Sequence, residues 1–203
     1  MANTSASDKV KEDLNFDIHP LLEKRWSPRA FSDEPLSEKS IGRLFEAARW
    51  APSSYNDQPW HFIYATRDQP DAHRRLLQCL NEGNRAWAGA APLLAVAVAR
   101  PHFSRNGNPN RHAWHDVGQA IAFLTVQATA MDLYVHQMAG FSPERTKETY
   151  GIPDAYEPVT AFVVVHLGDP ENLEDEGKRA AESRPQKRKG LEAFVFEGEW
   201  PGR

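Results

Sequence analysis

Three short segments carry most of the side chains that could do chemistry. Arg25, Ser27 and Arg29 alternate in Arg-Trp-Ser-Pro-Arg. Pro28 pushes Ser27 out of the α region, so the segment is read as extended, with these three side chains on one side. Two guanidinium forks and a hydroxyl suit a phosphate and the polar edge of a heterocycle. A solvated basic turn paired with Glu23 or Glu34 is the competing reading, and for this segment alone it is the stronger one. Residues 51–60, Ala-Pro-Ser-Ser-Tyr-Asn-Asp-Gln-Pro-Trp, hold two serine hydroxyls and two amides between two prolines. Such a loop is stiff and can read a flat polar ligand without charge, although Ser and Asn side chains also bond to their own backbone in ordinary turns. Residues 184–189, Arg-Pro-Gln-Lys-Arg-Lys, place four cations in six positions. They fit a nucleic-acid or localisation patch, a solvated linker, or a phosphate anchor, the last only if Arg25 lies nearby.

Several familiar chemistries are missing. No two of the 12 glycines stand two apart, so the dinucleotide fingerprint G-x-G-x-x-G cannot occur. There is no G-x-x-x-x-G-K-[ST] loop and no G-x-S-x-G elbow. His112 and His115 form H-x-x-H but lack a convincing third ligand, so a surface histidine pair is preferred and no metal is expected. Hydrolase triads could be assembled from the Ser, His and Asp residues, yet none has a signature. Twenty-four basic against 28 acidic residues give −4, too balanced for whole-chain charge to argue for nucleic acid. Cys79 is the single thiol, which excludes internal disulfides and Cys-rich zinc sites. The apolar run at 90–99 is half a membrane span, and the first residues lack the basic start and apolar middle of a signal peptide. A cytoplasmic protein without membrane contact is expected.

Positioning these segments requires a sizeable core, and 203 residues suffice for one domain. Residues 1–15 are polar and read as a flexible N-terminus, leaving 16–203 as the folded unit. Ile18, Leu21 and Leu22 have helical spacing. Ser37 can cap a helix bearing Ile41, Leu44, Phe45 and Ala48, which ends at Ala51-Pro52. Strands are predicted at 60–65, 93–99, 133–138 and 160–167, the second and fourth buried on both faces. Helices are predicted at 70–81, across Trp114, Val117, Ile121, Leu124, Ala128 and Met131, and between Ser142-Pro143 and Gly151. Residues 171–184 are almost devoid of apolar side chains and read as a mobile excursion or solvated arm. A late strand is predicted at 193–196. The order suggests a three-layer α+β sandwich, and Phe194, Phe196 and Trp200 would be wasted in water unless the tail docks on something.

Taken together, the segments resemble the FMN-dependent nitroreductase family. The resemblance rests on R-x-S-x-R-x-F at Arg25, Ser27, Arg29 and Phe31, and on A-P-S-S-x-N-x-Q-P-W-x-F from Ala51 to Phe62. Asn-Arg-Ala-Trp-Ala-Gly-Ala-Ala-Pro at 84–92, Met-Ala-Gly-Phe at 138–141 and Lys-Arg-Lys-Gly-Leu-Glu-Ala-Phe-Val at 187–195 extend it, in family order, over about residues 18–200. It implies an α/β/α sandwich with a mixed sheet, completed by a C-terminal strand exchanged between subunits of a homodimer through an arm at about 169–203. Two FMN sites would each be built by both chains. By position, Arg25, Ser27 and Arg29 resemble the ligands of the phosphate and pyrimidine edge, Trp26 contributing backbone, and Arg188 the second phosphate cation. Pro52, Ser53, Ser54 and Asn56 resemble the partner's contribution against the isoalloxazine. Gln137, Met138, Ala139 and Gly140 resemble the strand end that passes the ring, and Asn84 the amide near its carbonyl edge.

Two departures stand out. Some relatives carry a lysine shortly after the Asn84 position, where this chain has Ala86 and Trp87; Arg29 would then be the main cation near the ring. Several have an acidic residue where Ala139 stands, so their substrate preference does not transfer. The excursion at 100–111, in the region where the family varies its lid, is short, polar and basic. The implied reaction is ping-pong: NADH or NADPH delivers hydride to flavin N5, and an electron-poor small molecule such as a nitroaromatic or quinone removes it. No side chain need act as acid or base in the first half, so no catalytic residue is assigned. Dehalogenation or flavin fragmentation are alternatives within the family. A non-catalytic flavin- or nucleic-acid-binding protein is the alternative outside it.

Overall fold

The computed structural model describes Lys11 and residues 14–201. Four strands form one sheet in the order β1-β2-β4-β3: β1 Trp60–Thr66, β2 Leu93–Ala99, β3 Tyr134–Met138 and β4 Glu157–Val165. β2 and β4 hold the centre because their side chains are apolar on both faces, and every residue of β2 is buried. Alternation then splits β2 between two cores. Leu93, Ala95, Ala97 and Ala99 face α2 (Glu38–Arg49) and α5 (Ala113–Thr129); Leu94, Val96 and Val98 face α3 (Pro70–Leu77) and α4 (Glu82–Ala88). The α+β class and layered arrangement agree with the sequence reading.

Local chemistry explains the helix ends. Ser37 accepts from the Ser40 N–H at 3.1 Å to start α2, and Ser142 accepts from Arg145 at 3.1 Å to start α6 (Pro143–Tyr150), which Gly151 closes in the left-handed region. On α5, Ala113, Ala120 and Ala128 meet the alanines of β2, so helix and sheet pack closely. Its buried Thr125 and Thr129 hydroxyls donate to the Ile121 and Thr125 carbonyls at 2.7 and 2.9 Å. Among the described residues, no helix is long and apolar enough to cross a membrane.

Several expectations need correction. All four strands pair antiparallel where a mixed sheet is expected, so any parallel neighbour would have to come from outside them. The late strand at 193–196 is a 3-10 turn, Leu191–Ala193, followed by irregular backbone, because no edge lies alongside to pair with it. The excursion at 171–184 contains an ordered helix, α7 (Glu176–Ser183), whose Asp175 cap accepts from the Lys178 N–H at 2.9 Å. The helix predicted to reach 81 stops at Leu77, and α4 follows as a separate helix not predicted. Residues 1–10, 12 and 13 of the expected flexible N-terminus lie outside the described residues; Lys11 bridges to Gln186.

Candidate functional site

A basic cluster forms the first part of the site. After α1 (Pro20–Lys24) the chain runs beside β3: Trp26 meets Tyr134 edge-on at 6.0 Å, and the Pro28 carbonyl accepts from His136 Nδ1 at 2.7 Å. Arg25 reaches Ser27 Oγ and Gln186 Oε1, both at 3.4 Å, and the Lys11 ammonium donates to the Arg25 carbonyl at 3.0 Å. Lys11, Arg25, Gln186 and Arg188 line one cavity of about 310 Å³. Burial, and then the nearby Arg188 charge, pull the Arg25 pKa down. Burial, Arg25 and Arg188 do the same to Lys11, against a smaller opposing effect of Glu23. Among the described residues neither Arg25 nor Arg188 has an ion-pair partner, so this cluster is poised for an added anion. The condition attached to the phosphate reading, that Arg25 lie near Arg188, is met.

Arg29 leaves that cluster. Its guanidinium sits 5.6 Å from the Trp87 ring centroid, and Trp87 packs against His136 at 4.6 Å and Phe31 at 5.8 Å. Both N–H groups of Arg29 and Ala30 point at the buried Glu182 carboxylate, at 3.1 to 3.2 Å. Burial pushes His136 down to about 4, with the Arg29 charge helping and the Pro28 hydrogen bond opposing. The ring is therefore neutral near pH 7, and its Nδ1 must carry the proton because a carbonyl faces it. The backbone of 30–31 lies so close to Gly168 that a Cβ there would come within 2.2 Å of Phe31.

Farther along the same line, one helical turn before Trp87, Asn84 donates from Nδ2 to the Gly140 carbonyl at 3.0 Å. A Cβ on Gly140 would lie 2.5 Å from that amide nitrogen, so a larger residue there would displace the Asn84 amide. Of the β3 end, Gln137 and Ala139 are exposed and Met138 is buried. Arg25, Ser27, Arg29, Asn84 and Gly140 thus belong to one strip that follows β3.

The loop at 51–60 lies elsewhere. Tyr55, Asn56 and Gln58 hold φ values of 55°, 54° and 49°, three left-handed non-glycine residues in four positions. Each costs about 1 kcal/mol or more, and such strain collects at functional sites. The loop is tied down tightly. Ser53 Oγ accepts from Gln58 N at 3.1 Å, and the Ser54 N–H donates to the buried Asp116 carboxylate of α5 at 3.1 Å. Asp57, its side chain 3% exposed, takes Arg100 at 3.1 Å and Ser104 N and Oγ at 2.9 and 2.6 Å. Burial opposes its ionisation, yet these bonds hold its carboxyl below the usual range. Arg105 stacks 4.1 Å over Tyr55, which meets Phe103 edge-on. Pro52, Ser53 and Ser54 line a cavity of about 300 Å³ with His112, His115 and Asp116.

Within one chain the strip and the loop are not brought together. The loop contacts α5 at Asp116, near its start; the strip begins beyond its end, where Lys24 pairs with Asp132 and Trp26 packs on Tyr134. From Asp116 to Thr129 the helix rises about 20 Å. Among the described residues no group of three metal-ligating side chains forms, and the His112 and His115 rings stand 6.4 Å apart.

Comparison with known proteins decides the family. The profile of the Nitroreductase family matches residues 22–84 and 66–169. The chain belongs to the nitroreductase family. A crystal structure of an oxidoreductase containing FMN is 33% identical, with a TM-score of 0.88 over 94% of this chain and 96% of that one. An uncharacterized protein of Mycolicibacterium smegmatis is 36% identical over 60% of this chain and 79% of its own. A Streptomyces coelicolor protein with the provisional name NADH dehydrogenase/NAD(P)H nitroreductase is 28% identical over 70% of this chain and 77% of its own.

The candidate site of this nitroreductase-family chain also includes residues that sequence reasoning missed. Lys11 and Gln186 complete the basic cluster, His136 and Glu182 grip the 28–30 backbone, and Asp57 with Asp116 anchors the strained loop. Gln186 stood inside the cationic motif and could have been included. Glu182 gave no signal, because an acidic residue in a polar stretch reads as solvated.

Proposed function

We propose that this nitroreductase binds FMN along the β3 strip and uses NADH or NADPH to reduce a flat, electron-poor acceptor such as a nitroaromatic or quinone. The observation that carries this reading is the convergence of Arg25 and Arg188, 163 positions apart, with no carboxylate between them among the described residues. Such a donor set fits a phosphate: charge-assisted, forked and part-buried. Arg25 and Arg188 hold the phosphate, and Ser27 adds a hydroxyl. Arg29 supplies a fixed positive charge beside Trp87 that favours negative charge gathering on a neighbouring ring system. Asn84 and the 137–140 backbone offer amide groups to a heterocycle edge. When bound, FMN supplies the two-electron chemistry, and no side chain of this chain is assigned as acid or base.

We further propose a homodimer in which Pro52, Ser53, Ser54 and Asn56 of a second copy complete each site. The α5 spacing separates a chain's own loop from its own strip. Trp50 is 70% exposed, Trp200 is 83% exposed, and Trp114 and Phe123 lie half-exposed on α5, so ample apolar surface is available for a partner. Exchange of the 194–200 tail belongs to the same proposal. A cytoplasmic location belongs to the same reading.

The test is optical. The purified protein is expected to be yellow, to hold about one FMN per chain, and to bleach anaerobically with NADH or NADPH before an acceptor restores the colour. A protein that neither retains nor rebinds FMN overturns the cofactor assignment. Bound FMN that neither donor bleaches overturns the donor assignment.

A further inference from the structure

We propose that Glu182 is a positioning residue for Arg29, latching α7 onto the ligand-bearing 25–30 segment so that helix docking and FMN binding form one coupled event. The inference rests on the FMN reading above and adds a residue and a coupling to it. Glu182 is 6% exposed, yet no cationic side chain pairs with it among the described residues. Its oxygens instead accept from Arg29 N at 3.1 and 3.2 Å and from Ala30 N at 3.2 Å. A buried carboxylate is costly unless its lone pairs are filled, and here two backbone donors fill them.

The position of those donors is informative. The peptide joining Pro28 to Arg29 is gripped at both ends: His136 Nδ1 donates to its carbonyl at 2.7 Å, and its N–H donates to Glu182. The Ala30 carbonyl accepts from Gly168 N at 3.0 Å, closing the grip from the far side. With the Ala30 N–H also held by Glu182, the peptide planes on both sides of Arg29 are fixed, and together they fix the direction in which its side chain leaves the backbone. That direction sets the guanidinium over Trp87. Glu182 binds only the backbone, so the Arg29 charge stays available to a ligand. Four residues on, Gln186 takes Arg25, and Arg188 follows. The α7 region therefore meets the ligand segment at the ring-side and the phosphate-side arginine together. A ligand that requires both arginines in place favours the docked helix, and by reciprocity the docked helix favours the ligand by the same factor.

The test is a double-mutant cycle on full-length protein stripped of flavin, read by FMN fluorescence titration. Glu182→Ala is expected to raise the FMN dissociation constant about 10- to 100-fold, and Glu182→Gln, which keeps one acceptor, no more than about 10-fold. In an Arg29→Ala background both losses should shrink by at least about 3-fold, because much of the effect runs through Arg29 and only the remainder through Arg25 and Arg188. Full, additive losses in that background would show a merely structural role and overturn the proposal, as would unchanged affinity in Glu182→Ala. Amide exchange supplies a second readout. FMN should slow exchange at 176–183 and at Arg29 and Ala30 in wild type, and should do so less in Glu182→Gln. If Glu182→Ala does not fold, the Gln cycle and wild-type exchange decide, and FMN that leaves α7 exchange unchanged overturns the coupling. A wild type that binds no FMN overturns the cofactor reading instead. The latch is then judged on Arg29 and Ala30 exchange alone: faster in Glu182→Gln upholds it, equal rates overturn it.

Discussion

The β3 strip and the strained 52–58 loop solve opposite problems. The strip gathers long cationic side chains from both ends of the sequence, Lys11, Arg25 and Arg188, on backbone that is extended or irregular. Its cost is the burial of these charges and then their mutual repulsion, which together lower Arg25 and Lys11, and an anion relieves the repulsion. The loop is short and local. Its cost is stored in left-handed φ values at Tyr55, Asn56 and Gln58, and buried carboxylates at Asp57 and Asp116 hold it in place. One region is thus completed by its ligand, whereas the other is complete before any ligand arrives.

Removing both Arg25 and Arg188 should break the contrast most severely. Each loses about 1.5–3 kcal/mol of charge-assisted bonding, so FMN affinity measured by titration should fall on the order of a thousandfold while the melting temperature of the flavin-free protein holds or rises. A heterodimer sharpens the contrast. One chain carries Arg25→Ala and Arg29→Ala, the other Ser54→Ala and Asn56→Ala. If strip and loop come from different copies, all damage falls on one site, and tagged, purified heterodimers should hold about one FMN per pair. Similar partial loss at both sites would defeat the shared-site arrangement.

Asp57→Ala should act on stability first. It strands the part-buried Arg100 and releases two Ser104 bonds, a loss on the order of 3 kcal/mol in urea unfolding of flavin-free protein. A pH series isolates His136. Its folded value of about 4 lies below its unfolded value, so the unfolded chain binds more protons between the two. Stability should be full above about pH 6.5 and decline as pH falls through 4, by on the order of 3 kcal/mol. His136→Gln should flatten that slope. Ser53→Ala is the mildest change; it frees the Gln58 N–H and should cost about 1 kcal/mol by the same unfolding assay.

Most of this arrangement was written in local patterns. β2 and β4 announced themselves by unbroken apolar runs, α2 by Ser37 and its apolar stripe, and α6 by Ser142, Pro143 and Gly151. α4 was missed because it is a seven-residue helix that buries only Trp87 and Ala88. α7 was missed because its anchor is polar: Glu182 replaces an apolar stripe with hydrogen bonds that no periodicity reveals. The late strand failed for the complementary reason, since a strand exists only where an edge receives it. Alternation of Arg25, Ser27 and Arg29 correctly paired Arg25 with Ser27, but Trp87 drew Arg29 aside, a tertiary contact that spacing cannot show.

The helix that separates loop from strip also bears on how such a chain can change length. One residue inserted in the middle of α5 would turn everything beyond it by about 100° and shift it by about 1.5 Å. Leu124 and Ala128 would leave the sheet on which Val117 and Ala120 still pack, and loop and strip would lose their spacing together. Added or lost residues at 106–109, in the exposed link between β2 and α5 beyond the Ser104 and Arg105 contacts to the loop, disturb neither end of the helix. Insertions and deletions among relatives should therefore collect in that excursion and spare the helix, so that lineages differ in what overhangs the loop while keeping the same interval beneath it.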